Sequence, residues 1–289
     1  MICLGCFQIR KSLIHTPPNK TMKKLLLAAL AATALLGWTT QSQAALITFQ
    51  QGVNGYNGTT GTNLNQVYPD SSLGFVTADL IGVGSWIGTS GSTAQKGLIR
   101  FDLSSLAGQT ITSASLTLTS DQIYLAGSWS GNLTLYRVSD ANKGWVPTYA
   151  SPPANNGYAT WSERAENSTN WAGSAALGTS GTDYVATPLA TVAFSGNNPG
   201  VAKYTFNFND ISFLADWASN PSNNAGFLLR LPETESTQNQ GVYFGSSSYA
   251  TVASRPELSL GVVPEPSTVG MLGLVAAGAI ILRLRRRRA

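Results

Sequence analysis

Between Ile111 and Thr119 the chain reads ITSASLTLT, with Ala114, Leu116 and Leu118 on one side and Ser113, Ser115, Thr117 and Thr119 on the other. A period of two is the repeat of a strand with one buried face and one wet face. The same alternation returns in Leu133 to Val138 (LTLYRV) and in Lys203 to Phe208 (KYTFNF), where Tyr204, Phe206 and Phe208 share a face. Shorter runs at Gly97 to Asp102, Gly226 to Leu231, Gly241 to Gly245 and Pro256 to Val262 are separated by clusters of Gly, Ser, Thr and Asn. One stretch, Asn209 to Ser219, is predicted helical: Ile211, Leu214 and Trp217 recur every three residues, and Asn209 or Asp210 can cap it. Many short strands with one short helix predict an all-β chain, an antiparallel β-sandwich that is jelly-roll-like. The glycine-rich, aromatic segment from about Asn142 to Asn198 is expected to run as extended loops over one sheet.

Both ends of the chain read differently. From Met22 it runs MKKLLLAALAATALLGWTTQSQAA, two lysines followed by an apolar segment and then small polar residues. That is the pattern of a secretory signal peptide, and Ser42 and Ala44 suit signal peptidase cutting after Ala44. Because Met22 opens a complete signal by itself, residues 1–21 read as an extension from a misassigned start. At the other end Pro264-Glu265-Pro266 precedes an uncharged run from Val269 to Leu282, which Arg283, Arg285, Arg286, Arg287 and Arg288 close. The prolines stop a helix, the apolar run predicts a single short transmembrane helix, and the arginines hold its end in the cytoplasm. The expected organisation is therefore extension 1–21, signal peptide 22–44, folded domain 45–262 and C-terminal tail 263–289.

This division changes the inventory. Cys3, Cys6 and His15 all precede Met22, so residues 45–262 contain neither Cys nor His. No disulfide can hold this domain, and its stability must come from its core. Its eight Lys/Arg against 13 Asp/Glu give a net charge of −5, so the basic excess of the whole chain belongs to the ends. An acidic domain without a basic patch argues against nucleic acid as a partner.

The C-terminal segment, with Pro-Glu-Pro, a short apolar helix rich in Gly and Ala, and a terminal Arg cluster, resembles the PEP-CTERM sorting signal. The resemblance implies an exported protein of a Gram-negative, exopolysaccharide-producing bacterium. It also implies an exosortase, a membrane transpeptidase that cleaves near Pro264-Glu265-Pro266. The chain would be held at the inner membrane first and then pass to the cell surface or extracellular matrix. A second resemblance spans most of the domain. LIRFDLSSLAGQTITSASLTLT (residues 98–119), LTLYRV (133–138), Thr160-Trp161 after Trp145, Asn224 to Leu229 (NAGFLL) and Arg255-Pro256-Glu257-Leu258 follow in the order found in DNRLRE domains, which are secreted β-sandwich modules. One departure is that Val146-Pro147 replace the acidic residue often found after the tryptophan.

Without His or Cys, catalytic triads, thiol nucleophiles and the common zinc sites are excluded. A carboxylate pair, Glu163 and Glu166 beside Trp161, is the arrangement left for a hydrolase, and both read first as solvated loop charges. Arg100 and Asp102 read as an ion pair on a sheet face. For carbohydrate, Trp145, Tyr149, Tyr158, Trp161 and Trp171 could form a stacking platform among Asn155, Asn156, Glu163 and Asn170. Some DNRLRE-like modules are grouped with carbohydrate-binding modules, so that resemblance implies the same use. Asp140 and Asn142 resemble the start of a calcium loop, but the twelfth position is Ser151, so an EF-hand fails and only an irregular structural calcium site is left. No other cofactor is called for. The expectation is a non-enzymatic structural or adhesive protein of the surface or matrix. The alternative is a module that binds an extracellular polysaccharide, and a polysaccharide hydrolase is a remote third.

Overall fold

The computed structural model describes residues 44–70, 80–88, 91–125, 130–147, 157–195, 201–232 and 240–264. The expected signal peptide, the extension before it, Tyr149, and the tail beyond Pro264 with its apolar run and arginines lie outside the described residues. Among those described, no helix is long and apolar enough to cross a membrane.

The domain is built from antiparallel strands. One layer has the order β1 (Ala45–Gln50), β13 (Glu257–Pro264), β5 (Gln109–Leu125) and β10 (Lys203–Asn207). The other runs β12 (Gln240–Gly245), β3 (Leu80–Gly88), β4 (Gly91–Phe101), β11 (Phe227–Arg230), β6 (Ser130–Arg137) and β9 (Ala190–Ser195). In that layer β2 (Thr59–Asn65) also pairs with β4. The first part of β5 pairs with β13 and β10, while its last part pairs with β12, so one strand of 17 residues belongs to both layers. At the crossing the buried Ser120 hydroxyl donates to the Ala202 carbonyl (3.2 Å) and accepts from the Ala202 N–H (3.0 Å).

The period-two pattern of β5 holds as far as Leu118, while Thr119, expected on the wet face, is buried where the strand passes between the layers. Ala114, Leu116 and Leu118 are buried against Leu258 and Leu260 of β13 and Tyr204 and Phe206 of β10, while Ser113 lies exposed on the other side. On that outer face hydroxyls meet across strands, Thr117 with Thr205 at 3.0 Å and Thr48 with Ser259 at 3.3 Å. The two layers close on one core, in which Tyr204 and Phe244 stand edge to face at 5.8 Å and Phe208 meets Phe227 at 5.3 Å.

The predicted helix is shorter than its pattern suggests. Helix α1 covers Leu214–Ser219 and buries Leu214 and Trp217 as expected. Its approach is an Asx turn in which Asp210 accepts the Ser212 N–H at 2.9 Å, a bond that holds the Asp210 carboxyl below its ordinary value. The side-chain oxygen of Asp210 is thus spent on a turn ahead of the helix, and the five residues from Asn209 to Phe213 expected as helix become its lead-in. The last strand, β13, continues past Val262 through Val263 to Pro264.

Segments quoted for the second resemblance meet in space. The Asn224 amide donates to the Phe101 carbonyl (2.6 Å), and its oxygen accepts the Gly226 N–H (3.1 Å). Gly226 has φ +77°, and a Cβ there would sit 2.7 Å from the Ile99 carbonyl oxygen, so only glycine fits this close approach. Arg255 donates to the carbonyls of Tyr249 (2.8 Å) and Gln51 (3.0 Å), tying the loop before β13 to the end of β1.

Burial pushes the hydroxyls of Tyr56 and Tyr204 up from the ordinary tyrosine value of 10.0, and the hydrogen bond to Asp121 does the same for Tyr249. The folded state therefore keeps protons that the unfolded chain loses. Stability from these groups is intact below about pH 10 and falls as pH rises past it. A plot of urea midpoint against pH should accordingly be level from neutral pH up to about pH 10 and decline beyond it.

Candidate functional site

The described residues between β6 and β9 lie over the second layer. The run of loops expected from about Asn142 to Asn198 is cut short by β9, which is itself a strand of that layer. The way the segment is held decides what its aromatic residues can do. Lys96, Leu98 and Arg100 share one face of β4, and the registers Leu228 with Leu98 and with Tyr136 put Tyr136 and Arg230 on that face too. Each cation is covered by a ring from the loop. Lys96 Nζ lies 5.4 Å from the Trp161 ring centre, the Arg100 guanidinium 4.2 Å from Trp145, and that of Arg230 5.3 Å from Tyr184. Tyr184 in turn packs on Tyr136 at 4.7 Å. Half-desolvated pairs of this kind contribute about 0.5–2 kcal/mol each.

Polar bonds complete the attachment. Arg100 Nη2 donates to the carbonyls of Trp145 (2.9 Å) and Lys143 (3.3 Å), and Lys96 Nζ donates to that of Ala176 (3.1 Å). The Trp145 indole N–H donates to Ala225 (2.7 Å) and that of Trp171 to Thr160 (3.1 Å). Arg100 was expected to pair with Asp102. Instead its guanidinium engages Trp145 and these carbonyls, while Asp102 accepts the Ser104 N–H at 2.9 Å. The expected alternation holds, with Ile99 and Phe101 buried between them.

Of the rings expected in a platform, Tyr149 lies outside the described residues, and Trp145 and Trp171 are taken up by the fold. Trp145 and Trp171 are 1% and 5% exposed, their faces packed and their N–H groups bonded inside the protein. The loop needs apolar anchors to lie flat on a sheet, and these two provide them. Tyr158 and Trp161 keep part of their surface in water. Of the two carboxylates, Glu166 is buried, and Glu163, in the short hairpin of β7 (Glu163–Ala165) and β8 (Thr169–Asn170), accepts the Asn167 N–H at 2.5 Å.

The calcium candidates part company. Asp140 is exposed at the start of a 3-10 turn, whereas Asn142 is buried. The Asn142 amide donates to the Asp183 carboxylate at 3.0 Å, and its oxygen accepts the Ala172 N–H at 2.9 Å. Its oxygen is thereby spent on the backbone rather than held for a cation. Among the described residues no group of three or more His, Cys, Asp or Glu could hold a metal ion.

Asp183 organises this corner, and sequence reasoning passed over it. Fully buried, it accepts from the N–H groups of Gly173 (2.7 Å), Ser174 (2.9 Å) and Thr179 (2.8 Å) as well as from Asn142. A Cβ on Gly173 would fall 2.7 Å from the Asp183 carboxylate. The one signal in the sequence was a lone acid in a stretch of Gly, Ser and Thr, which looks the same as a solvated loop.

The remaining site lies at the end of the sheet. The pairs Ala45 with Val262 and Gln50 with Glu257 bound the β1–β13 ladder, so the start of the domain and its exit lie side by side. Beyond Val262, β13 pairs with β5 alone, Val263 with Thr110 and Pro264 with Gln109. Glu265, Pro266 and the arginines that follow are outside the described residues.

Residues 262–288 match the family model of the PEP-CTERM protein-sorting motif. No curated protein matches the chain. The motif marks an exported protein sorted through an exosortase, its C-terminal segment serving as the membrane-anchored signal.

Proposed function

We propose that the chain is a non-catalytic structural or adhesive protein of the cell surface or exopolysaccharide matrix, delivered there by exosortase cleavage of its tail. The observation that carries this reading is the matched sorting motif, which begins inside the last strand of a folded all-β domain. What is delivered is then the sandwich itself. The ordered DNRLRE-like segments support a secreted module, and the engagement of Trp145, Trp171, Glu163 and Asn142 within the fold supports a structural role for the long loop. Fractionation tests it: in cells with an exosortase the protein leaves the inner membrane for the surface or medium, and in cells lacking that enzyme it stays. Equal distribution in both strains would sink the reading.

Polysaccharide binding is the second reading, favoured by the partly exposed Trp161 and Tyr158 on adjoining loop segments. A pyranose stacked on Trp161 would retard the protein in a polysaccharide gel, and Trp161→Ala would then migrate as in an empty gel. If wild type and variant run alike in gels of neutral and acidic polysaccharide, this second reading fails and the structural one stands.

A further inference from the structure

Tyr68 is 49% exposed, and among the described residues no other aromatic side chain lies so far in water. It stands on the turn that follows β2, and that turn is fixed. The Asn65 side chain accepts the Val67 N–H (2.9 Å), and the Asn65 carbonyl accepts the Tyr68 N–H (3.3 Å). Gln66 makes two bonds to Ala94 of β4, its N–H donating to the carbonyl and its side-chain oxygen accepting the N–H, both at 3.0 Å. The Pro69 carbonyl then accepts the Ser162 N–H at 2.9 Å. That bond joins the turn to the long loop, with Tyr68 one residue before it on one side and Trp161 one residue before it on the other. Trp161 is held as well. Its carbonyl accepts the Ala176 N–H at 2.5 Å, and one face of its ring covers Lys96 Nζ. Lys96 is 4% exposed, so the covered face is the inner one, and the part of Trp161 that meets water lies on its outer side.

A ring left half in water contributes little to the core, and the bonds that fix this turn come from Asn65, Gln66 and the backbone rather than from Tyr68. Aromatic rings carried on fixed segments lose little freedom when a ligand stacks on them. A pyranose with equatorial hydroxyls offers such rings an apolar face of C–H groups. The local charge narrows the choice of sugar. Asp70, next to Pro69, is exposed. The nearby cations are turned inward, Lys96 to the Ala176 carbonyl (3.1 Å) and Arg164 to that of Ala141 (2.6 Å). A carboxylate beside the rings repels uronates and leaves uncharged sugars unopposed. We propose that Tyr68 and Trp161 form one two-ring surface for a neutral polysaccharide, and that Asp70 excludes polyuronates from it. This inference rests on the polysaccharide-binding reading above, to which it adds Tyr68, Asp70 and the class of ligand.

The test is affinity electrophoresis of the exported protein in gels of hydroxyethyl cellulose and glucomannan, both neutral, and of alginate, a polyuronate. Wild type should be retarded in a neutral gel and run freely in alginate. Tyr68→Ala should weaken the retardation about tenfold, the factor for one lost aromatic stack, whereas Tyr68→Phe, which keeps the ring, should stay within about twofold of wild type. Both variants should keep the wild-type urea midpoint, because the ring is half in water. Asp70→Asn should gain retardation in alginate. If Tyr68→Ala runs as wild type in a gel where Trp161→Ala runs free, the two-ring surface is overturned and stacking on Trp161 alone stands. Retardation of wild type in alginate as strong as in the neutral gels would overturn the choice of ligand. Free running of Asp70→Asn in alginate would overturn the role given to Asp70. A wild type that runs free in every gel would refute the polysaccharide reading itself, and the two-ring surface with it.

Discussion

Replacing Trp145 by alanine should cost the domain about 4 kcal/mol, read as a fall in the urea midpoint with the slope unchanged. Three losses combine. The ring is fully buried, so its removal leaves a cavity between loop and sheet. The Ala225 carbonyl loses the indole N–H that satisfies it at 2.7 Å. Arg100 loses the ring 4.2 Å from its guanidinium while it remains tied to the Trp145 and Lys143 carbonyls. Trp161→Ala is the control. Trp161 lies partly in water and covers Lys96 at the longer distance of 5.4 Å, so its loss should cost about 1 kcal/mol. If the two substitutions proved equally mild, Trp145 would not be an anchor of the loop.

Asp183→Asn should be nearly as damaging although it changes almost no volume. Oδ1 accepts from Gly173 and Asn142 and Oδ2 from Ser174 and Thr179, so both oxygens of the carboxylate face donors only. An amide must turn its NH2 toward one of those pairs, setting donor against donor where no water can intervene. The expected loss is about 3 kcal/mol, the scale of a buried donor left without its charged partner. Between the bonded positions lie Ala176 and Leu177, with φ of 52° and 51°, and two successive L-residues in the left-handed region cost about 1–3 kcal/mol each. The Asp183 bonds at Gly173, Ser174 and Thr179 hold that turn from both sides. Protease cleavage within residues 173–185 under native conditions should therefore appear in the variant before the sheet unfolds. Wild-type resistance there, with an unchanged urea midpoint, would show that the turn holds itself.

How much of this was legible in the sequence depended on whether a residue's neighbours are local. Strand β5 was plain because alternation is a local pattern, and Leu116 and Leu118 need only a buried side to obey it. Strand β2, Thr59–Asn65, was missed because its residues look like turn formers, and pairing with β4 is what extends them. The aromatic segment was read as loops over a sheet, without its strand β9, and Trp145 and Trp171 were counted in a possible ligand platform. A tryptophan that stacks on an arginine of its own sheet and one that stacks on a sugar have the same sequence surroundings. Only the register that brings Arg100 beneath Trp145 tells them apart. Asp183 shows the same limit from the other side: its four donors come from three separate stretches of chain.

The position of β13 between β1 and β5 has a mechanical consequence. A sandwich held by its C-terminal end takes load along the axis of β13. In a hairpin pulled from its open end, the hydrogen bonds break singly, each taking the whole force in turn. Here the rungs to β1 and β5 lie across the pull and share it at once, from Glu257 to Pro264 on one side and from Glu257 to Val262 on the other. The strand in which the sorting motif begins is thus also the one best placed to bear tension when the domain is held by its C-terminal end.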